Sequence, residues 1–281
     1  MSETTLRFYQ VDAFTDQPFG GNPAVVCLTE QPLNKRTLQA IAAEMNLSET
    51  AFVHPLDDRG WREARTFSLR WFTPTTEVRL CGHGTLATAA VLFDAVEVET
   101  EEVRFETRGG SLLAQMTEHG FALDFPSDAP RPRDLPEGLL EALCVEADAV
   151  EQVAYARKTQ NLLVHLKTSE MVRGLTPDFV RLGEITSAAD VHGPIVTAAG
   201  AALYDFISRY FAPAIGINED PVTGSAHTVL GPYWAERLDK DELFAYQASE
   251  RGGELQVRVL SNKRVQLIGE AVIVAEGELR F

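Results

Sequence analysis

The sequence predicts an α+β protein of two similar halves, each with a strand that leads into a buried central helix. Two observations carry this prediction. Apolar residues alternate from position 67 to 71, as in a half-buried strand, and a glycine-rich turn follows at 81–84. The run at 85–93 then has almost no polar face, and a helix that is apolar on all sides belongs inside a core. The second observation is that this pattern occurs twice.

The repeat is visible as a constant offset between the two halves of the chain. Identical residues lie 139 positions apart at Phe67 and Phe206, Arg70 and Arg209, Phe72 and Phe211, Pro74 and Pro213, Asn22 and Asn161, and Val25 and Val164. After the proline the second half gains three residues, which aligns Cys81-Gly82-His83 with Thr223-Gly224-Ser225. An offset that is kept across separate segments indicates duplication.

Length and composition bound the class of protein. The 281 residues suit two domains, predicted at 1–127 and 128–281, with a proline-rich linker at 126–136 and a last strand that can return to the first half. A formal charge of −16 repels phosphate backbones and anionic lipids, so neither nucleic acid nor membrane is an expected partner. Three cysteines form no disulfide framework, and neither a membrane span nor a signal-peptide pattern is found. We therefore expect a cytoplasmic protein.

Local patterns predict the remaining elements. Asn34 suits the N-cap of a helix that runs to residue 47, because apolar residues recur on one face from Leu38 onwards. A second cap is predicted at Thr176, where proline follows at the first helical position. Further strands are predicted at 8–14, 24–28, 51–53, 103–105, 112–116, 121–125, 153–156 and 161–166, and further helices at 137–143 and 226–238.

Four polar residues are candidates for a functional site: Glu49, His83, Asp220 and Ser225. The first lies at a predicted helix–strand junction, and the others lie at or just before the starts of the two apolar helices. Helix N-termini offer unpaired N–H groups and partial positive charge, so we expect a substrate carboxylate there, bound by Gly82, Gly84, Thr85, Gly224 and Ser225. Each candidate also has a structural explanation: a surface glutamate, a core histidine, a turn-forming aspartate and a capping serine.

Other chemistries lack their sequence patterns. No two of the six histidines have metal-binding spacing and the cysteines are far apart, so no metal site is predicted. A Walker loop, a G-x-G-x-x-G fingerprint and a G-x-S-x-G elbow are all missing from the sequence. What remains is acid–base chemistry, without a cofactor, by a carboxylate and a histidine.

These residues belong to a wider resemblance, because the chain is similar to the PhzF-like (phenazine-biosynthesis) isomerases of the diaminopimelate-epimerase fold superfamily. The matching segments follow in order along the chain: VDAFT at 11–15, FGGNPA at 19–24, NLSET at 46–50, FTP at 72–74, CGHGT at 81–85 and EDPVTGSAH at 219–227. The resemblance implies two barrel-like halves, each a curled mixed sheet around a central helix, with the active site between them. It also implies a homodimer and cofactor-free isomerisation, in which Glu49 is the acid–base residue and His83, Asp220 and Ser225 line the site.

One departure from the wider superfamily shapes the expected reaction. Its epimerases and racemases use two cysteines, one at each central-helix start, whereas this chain has Cys81 at the first place and Thr223 at the second. A threonine hydroxyl cannot supply a thiolate at ordinary pH. We therefore expect Glu49, with a pKa raised by enclosure, to remove a proton beside an activated carbon and return it elsewhere, which shifts a double bond.

The predicted function is thus a cofactor-independent isomerase that acts on a small carboxylate. Two alternatives stay open at this point: an amino-acid epimerase or racemase of the same fold, and a non-catalytic small-molecule binding protein. Membership of this family does not by itself imply a role in phenazine synthesis.

Overall fold

The computed structural model describes residues 5–281 and divides into two compact units. One unit comprises the chain up to Asp124 together with Ile268–Phe281, and the other comprises Phe125–Leu267. The predicted domains met after residue 127; the structure separates the units at Asp124 and assigns the last strand to the first unit.

Strands make up most of the regular structure. They are β1 (Thr5–Ala13), β2 (Asn22–Leu28), β3 (Glu49–Pro55), β4 (Thr66–Phe72), β5 (Glu77–Val78), β6 (Glu102–Thr107), β7 (Gly110–Thr117), β8 (Gly120–Pro126), β9 (Arg131–Pro132), β10 (Val150–Ala156), β11 (Asn161–Leu166), β12 (Gly193–Ala199), β13 (Phe206–Ala212), β14 (Ile217–Asp220), β15 (Glu242–Gln247), β16 (Gly253–Leu260), β17 (Arg264–Gly269) and β18 (Ala271–Arg280).

In the described part of the chain, six α-helices connect these strands. They are α1 (Lys35–Met45), α2 (Gly82–Ala90), α3 (Leu139–Ala142), α4 (Ser169–Arg173), α5 (Phe179–Ala188) and α6 (Gly224–Leu238), with a π-helical turn at Val91–Ala95 and 3-10 turns at Ala147–Ala149 and Pro213–Ile215. No helix within residues 5–281 is both long enough and apolar enough to cross a bilayer.

The first unit is a mixed sheet in the order β18-β1-β2-β3-β4-β6-β7-β8, with β5 beside the end of β4. The pairs β2–β3 and β4–β6 are parallel, and the other pairs are antiparallel. Each parallel pair needs a crossover, and α1 and α2 supply the two crossovers. The sheet is not closed into a barrel among the described residues.

The second unit repeats this connectivity. The seven strands from β10 to β16 pair in the same way as the seven strands from β1 to β7. The parallel pairs are β11–β12 and β13–β15, which correspond to β2–β3 and β4–β6. The short β9 pairs with β10, where β18 pairs with β1. The duplication predicted from the offset is therefore confirmed in the pairing of the strands.

The two central helices begin slightly earlier than predicted. Eight of the nine residues of α2 are buried, and the helix contacts β1, β2, β3, β7 and β18, so the sheet curls around it. This arrangement confirms the fold class, a mixed sheet around a central helix. α6 begins at Gly224 and contacts β15 and β16.

One helix start was predicted wrongly and another correctly. Asn34 caps α1 by accepting a hydrogen bond from the amide of Thr37, as expected. α5 is capped by Asp178, which accepts from the amide of Arg181, and not by Thr176. Both residue types can accept the capping hydrogen bond, as Thr168 does at α4, but only the carboxylate also places a negative charge at the positive end of the helix dipole.

Candidate active site

Glu49 is positioned by a reversal of the chain between α1 and β3. Asn46 adopts the left-handed conformation, with φ 50° and ψ 33°, and donates its amide to the carbonyl of Ala42. Glu49 then begins β3, beside Ala24 of the parallel neighbour β2. Its side chain is buried, with 11% of its surface exposed. The loop glutamate is therefore held at the end of a central strand.

His83 is positioned by the first turn of α2. Cys81 is the N-cap, since its Sγ accepts from the amide of Gly84 at 3.3 Å. His83 is the second residue of the helix, and its ring lies beside Glu49, with 3.0 Å between Nε2 and the Glu49 Oε2. This oxygen makes no aligned hydrogen bond to any residue that the structure describes, so the contact is an ion pair at short range.

Two further side chains hold the imidazole. Asn22, the first residue of β2, places Nδ2 at 3.1 Å from His83 Nδ1, and Ser48 places Oγ at 3.3 Å from Nε2. Ser48 also donates to the carbonyl of Pro23 at 3.1 Å. In the sequence, Asn22 belongs to a repeated pair and to the segment FGGNPA, and Ser48 belongs to the segment NLSET, but neither was predicted as a site residue.

The pKa of Glu49 moves in the direction opposite to the sequence prediction. Burial raises this pKa, but the charge of His83 and the polar contacts of His83 and Ser48 with the carboxylate together outweigh burial, so the pKa of Glu49 is lowered. The prediction of a raised pKa was wrong because it counted enclosure and not the cation 3.0 Å away.

The pKa of His83 is raised well above its ordinary value. Burial opposes the positive charge of the ring, while Cys81 and Glu49 favour it. Burial also raises the pKa of the Cys81 thiol, and Glu49 raises it further. A Cys81 thiolate and the Glu49 carboxylate are the two negative charges that favour the imidazolium, and the raised pKa of the thiol limits the first of them. Both shifts favour the charged forms of the two side chains, an ionised Glu49 and a protonated His83.

Glu49, Cys81 and His83 form the group among the described residues that could hold a metal ion. Each offers one ligand atom, and these atoms lie within 4.8 Å of one another. Their spacing along the sequence matches no metal motif, so the prediction of no metal site did not consider this trio. A metal would have to displace the protons of the thiol and the imidazolium, which places it in competition with the acid–base pair.

Asp220 ends β14 in the second unit and belongs to a buried polar network. Its Oδ2 accepts from the Thr223 hydroxyl at 2.6 Å, and its carbonyl accepts from Gln247 Nε2 at 2.7 Å. Gln247 Oε1 in turn accepts from the Thr223 amide at 2.9 Å. Sequence reasoning missed Gln247, which reaches this place because β15 pairs in parallel with β13.

The remaining predicted substrate-binding residues lie at the two helix starts. Gly82, Gly84 and Thr85 are in the first turn of α2, and Gly224 and Ser225 begin α6. The Thr85 hydroxyl donates to the Cys81 carbonyl at 2.6 Å, which commits it to the helix. Ser225 is half-buried, and its carbonyl accepts from the Thr228 hydroxyl. The structure thus brings Glu49 and His83 into contact, and it places Asp220 and Ser225 beside the start of α6.

Comparison with solved structures defines the class of fold. The chain is 41% identical to a PhzF-family phenazine biosynthesis protein of Enterococcus faecalis, covering 98% and 99% of the two chains with a TM-score of 0.88. A hydroxyproline epimerase of Agrobacterium vitis shares only 13% identity but covers 99% and 93%, with a TM-score of 0.59, which shows a common fold. The protein is therefore one of the epimerase-like two-unit folds, with a buried carboxylate–histidine pair in its first unit.

The family follows from the sequence comparisons. The family model described as phenazine biosynthesis-like protein matches residues 11–277. An uncharacterised isomerase of Halalkalibacterium halodurans is 44% identical over 278 residues, which cover 98% of each chain. This chain belongs to the phenazine biosynthesis-like family, as the resemblance in the sequence predicted.

Proposed function

We propose that this protein is a cofactor-independent isomerase that moves a proton, and with it a double bond, within a small carboxylate substrate. The observation that carries the proposal is the buried pair of Glu49 and His83, with 3.0 Å between Oε2 and Nε2. A histidine cation keeps the carboxylate ionised, so Glu49 is ready to accept a proton. The isomerase names of close relatives agree with this role.

The reaction runs through one proton and one carboxylate. Glu49 takes a proton from a carbon beside an activating group, and the electron pair of that C–H bond forms a new double bond. The existing double bond shifts, and its far carbon receives the proton back from Glu49. His83, still protonated, stabilises negative charge that develops on the substrate between the two transfers. No atom is gained or lost.

The proposal includes residues of the second unit because the family segment EDPVTGSAH at 219–227 lies there. Asp220 and Ser225 are proposed to serve the same substrate as Glu49, with Asp220 orienting a partner. The substrate is proposed to be a carboxylate because both central helices begin with glycine and so leave room for an anion at their N-termini. A homodimer in the cytoplasm remains part of the proposal.

The alternative of a racemase with two catalytic thiols lacks its second cysteine, because the residue that corresponds to Cys81 in the second unit is Thr223. Thr223 donates its hydroxyl to Asp220 at 2.6 Å, and Cys81 has a raised pKa and serves as the cap of α2. Both features disfavour a thiolate. A binding protein without turnover would not require a base at Glu49, which disfavours that alternative.

Deuterium uptake tests the proposal on a panel of candidate substrates. Small unsaturated carboxylates are incubated with the protein in heavy water, and NMR identifies those that exchange a carbon-bound proton and form an isomer. Glu49→Gln keeps the shape of the side chain but cannot accept a proton, so exchange should slow by roughly 10² or more. Glu44→Gln, on the exposed face of α1, is the matched control and should exchange at the wild-type rate. Equal rates in Glu49→Gln and wild type would end the proposal.

A further inference from the structure

Trp71 carries a buried hydrogen-bond donor for which the described part of the chain offers no acceptor. The residue lies in β4 with 1% of its surface exposed, and its indole Nε1 has no partner within residues 5–281. The other two tryptophans are paired: Trp61 donates to Glu30 at 3.3 Å, and Trp234 donates to the Thr197 hydroxyl at 3.0 Å. Buried donors in native proteins are nearly always satisfied, so an unpaired one requires an explanation.

The unpaired donor faces the start of α2. A Cβ built on Gly84 would lie 3.0 Å from Trp71 Cδ1, 3.4 Å from Trp71 Nε1 and 2.9 Å from Cys81 Sγ. The nitrogen-bearing edge of the indole therefore lies against the first helical turn. The amides of Gly82 and His83, which open the helix, have no carbonyl partner within it. Donors from the indole and from the helix thus occur together, beside the Glu49–His83 pair.

The second unit shows what the corresponding donor does in the duplicate. Tyr210 stands 139 positions after Trp71, and its hydroxyl donates to Asn161 Oδ1 at 3.0 Å. The counterpart of that asparagine in the first unit is Asn22, whose side-chain nitrogen lies 3.1 Å from His83 Nδ1. In the unit that contains the acid–base pair, the asparagine therefore contacts the histidine. The aromatic donor of that unit, Trp71 Nε1, has no acceptor among the described residues.

The chemistry of the donors defines the missing partner. An indole N–H can only donate, so its partner must be an acceptor. The positive end of α2 favours an acceptor that carries negative charge. We propose that Trp71 Nε1, together with the first amides of α2, binds a carboxylate oxygen of the substrate. This inference rests on the proposed function in one respect only, that the site accepts a small carboxylate.

Indole NMR tests the inference directly in the wild-type protein. The ¹⁵N-labelled chain has three tryptophans and so three indole N–H signals, which Trp61→Phe and Trp234→Phe assign by elimination. Benzoate is the probe, and benzamide, which has the same ring without the charge, is its control. We expect benzoate to shift the Trp71 signal and to leave the Trp61 and Trp234 signals in place, and we expect benzamide to have a much smaller effect.

Trp71→Phe gives the matching affinity measurement, because it keeps an aromatic ring and removes the donor. Loss of a hydrogen bond to a charged acceptor should weaken benzoate binding by roughly tenfold to a hundredfold, with Trp234→Phe unchanged. If benzoate moves the amide signals of Gly82 and His83 but not the Trp71 indole, the inference is overturned. It is equally overturned if benzoate moves none of these signals at the highest soluble concentration.

Failure of this inference differs from failure of the proposed function. If deuterium exchange depends on Glu49 but benzoate does not shift the Trp71 indole signal, only the proposed role of Trp71 is contradicted. If benzoate engages Trp71 but no carboxylate exchanges deuterium, the binding inference stands and the isomerase proposal falls. Trp71→Phe should still exchange deuterium at saturating substrate, because its loss is in binding and not in the proton transfer.

Discussion

Arg209 holds Glu219 through two hydrogen bonds, Nε to Oε1 at 2.7 Å and Nη2 to Oε2 at 2.8 Å. Glu219 directly precedes Asp220, so the pair fixes the segment that leads into α6. The first unit has the same device, in which Arg70 Nε donates to Glu77 Oε1 at 2.8 Å. Each arginine also lies over the phenylalanine two residues later, Phe72 or Phe211. The duplication has thus preserved an ion pair that orients the approach to each central helix.

Glu219→Gln should destabilise the protein by about 2 kcal/mol, because it leaves the largely buried guanidinium of Arg209 without its counter-charge. Urea unfolding followed by circular dichroism measures the loss. Glu242→Gln breaks the more exposed pair with Arg258 and should cost no more than about 0.5 kcal/mol. A loss in Glu219→Gln as small as the one expected for Glu242→Gln would show that Glu219 does not stabilise this segment.

The Glu49–His83 pair should give stability a defined dependence on pH. The folded-state pKa of His83 is raised, so its contribution is complete below the ordinary value of 6.5 and is lost as pH rises through the folded-state pKa. The pKa of Glu49 is lowered, so its contribution is complete above the ordinary value of 4.5 and is lost as pH falls through the folded-state pKa. The difference in unfolding free energy between wild type and Glu49→Gln should therefore be largest between pH 4.5 and 6.5. A difference that keeps growing above this range would contradict the ion pair.

Cys81 should prove to be a structural residue. Cys81→Ala removes the side-chain cap of α2 and should lower stability by about 0.5 to 2 kcal/mol, while most of the deuterium exchange is retained. Cys81→Ser keeps a capping acceptor and should lose less stability. Since burial raises the pKa of the thiol, alkylation by iodoacetamide should be slow. Loss of exchange in folded Cys81→Ala would restore a role for the thiol in catalysis.

Zinc should inhibit the protein, and chelators should not. Ligand atoms of Glu49, Cys81 and His83 lie close enough together to bind the ion, which would remove the base from the reaction. Inhibition should strengthen as pH rises, because the thiol and the imidazolium must lose protons to bind metal. Treatment with EDTA should leave deuterium exchange unchanged, and Cys81→Ala should be less sensitive to zinc than wild type. Loss of activity on chelation would instead point to a metal that takes part in the reaction.

The sequence by itself determined the duplicated architecture. Three patterns carried this information: the alternation in the strands, the apolar run of α2 and the offset of 139 residues. Burial of a strand face, burial of a helix and duplication of a unit each leave a regular pattern in the sequence. Glu49, His83, Asp220 and Ser225 were named as candidates for the same reason, because each stands at a junction of recognisable elements. The family motifs then supplied their expected roles.

Only the tertiary structure decided what these residues touch. The lowered pKa of Glu49 depends on His83, which is 34 positions away in the sequence. The polar contact of the imidazole depends on Asn22, which lies in another strand. Gln247 reaches Thr223 because β15 pairs in parallel with β13. The Trp71 indole has no acceptor among residues 5–281, which only its surroundings in the folded chain reveal. A pKa and an unsatisfied donor are properties of a three-dimensional environment, and no pattern along the chain encodes them.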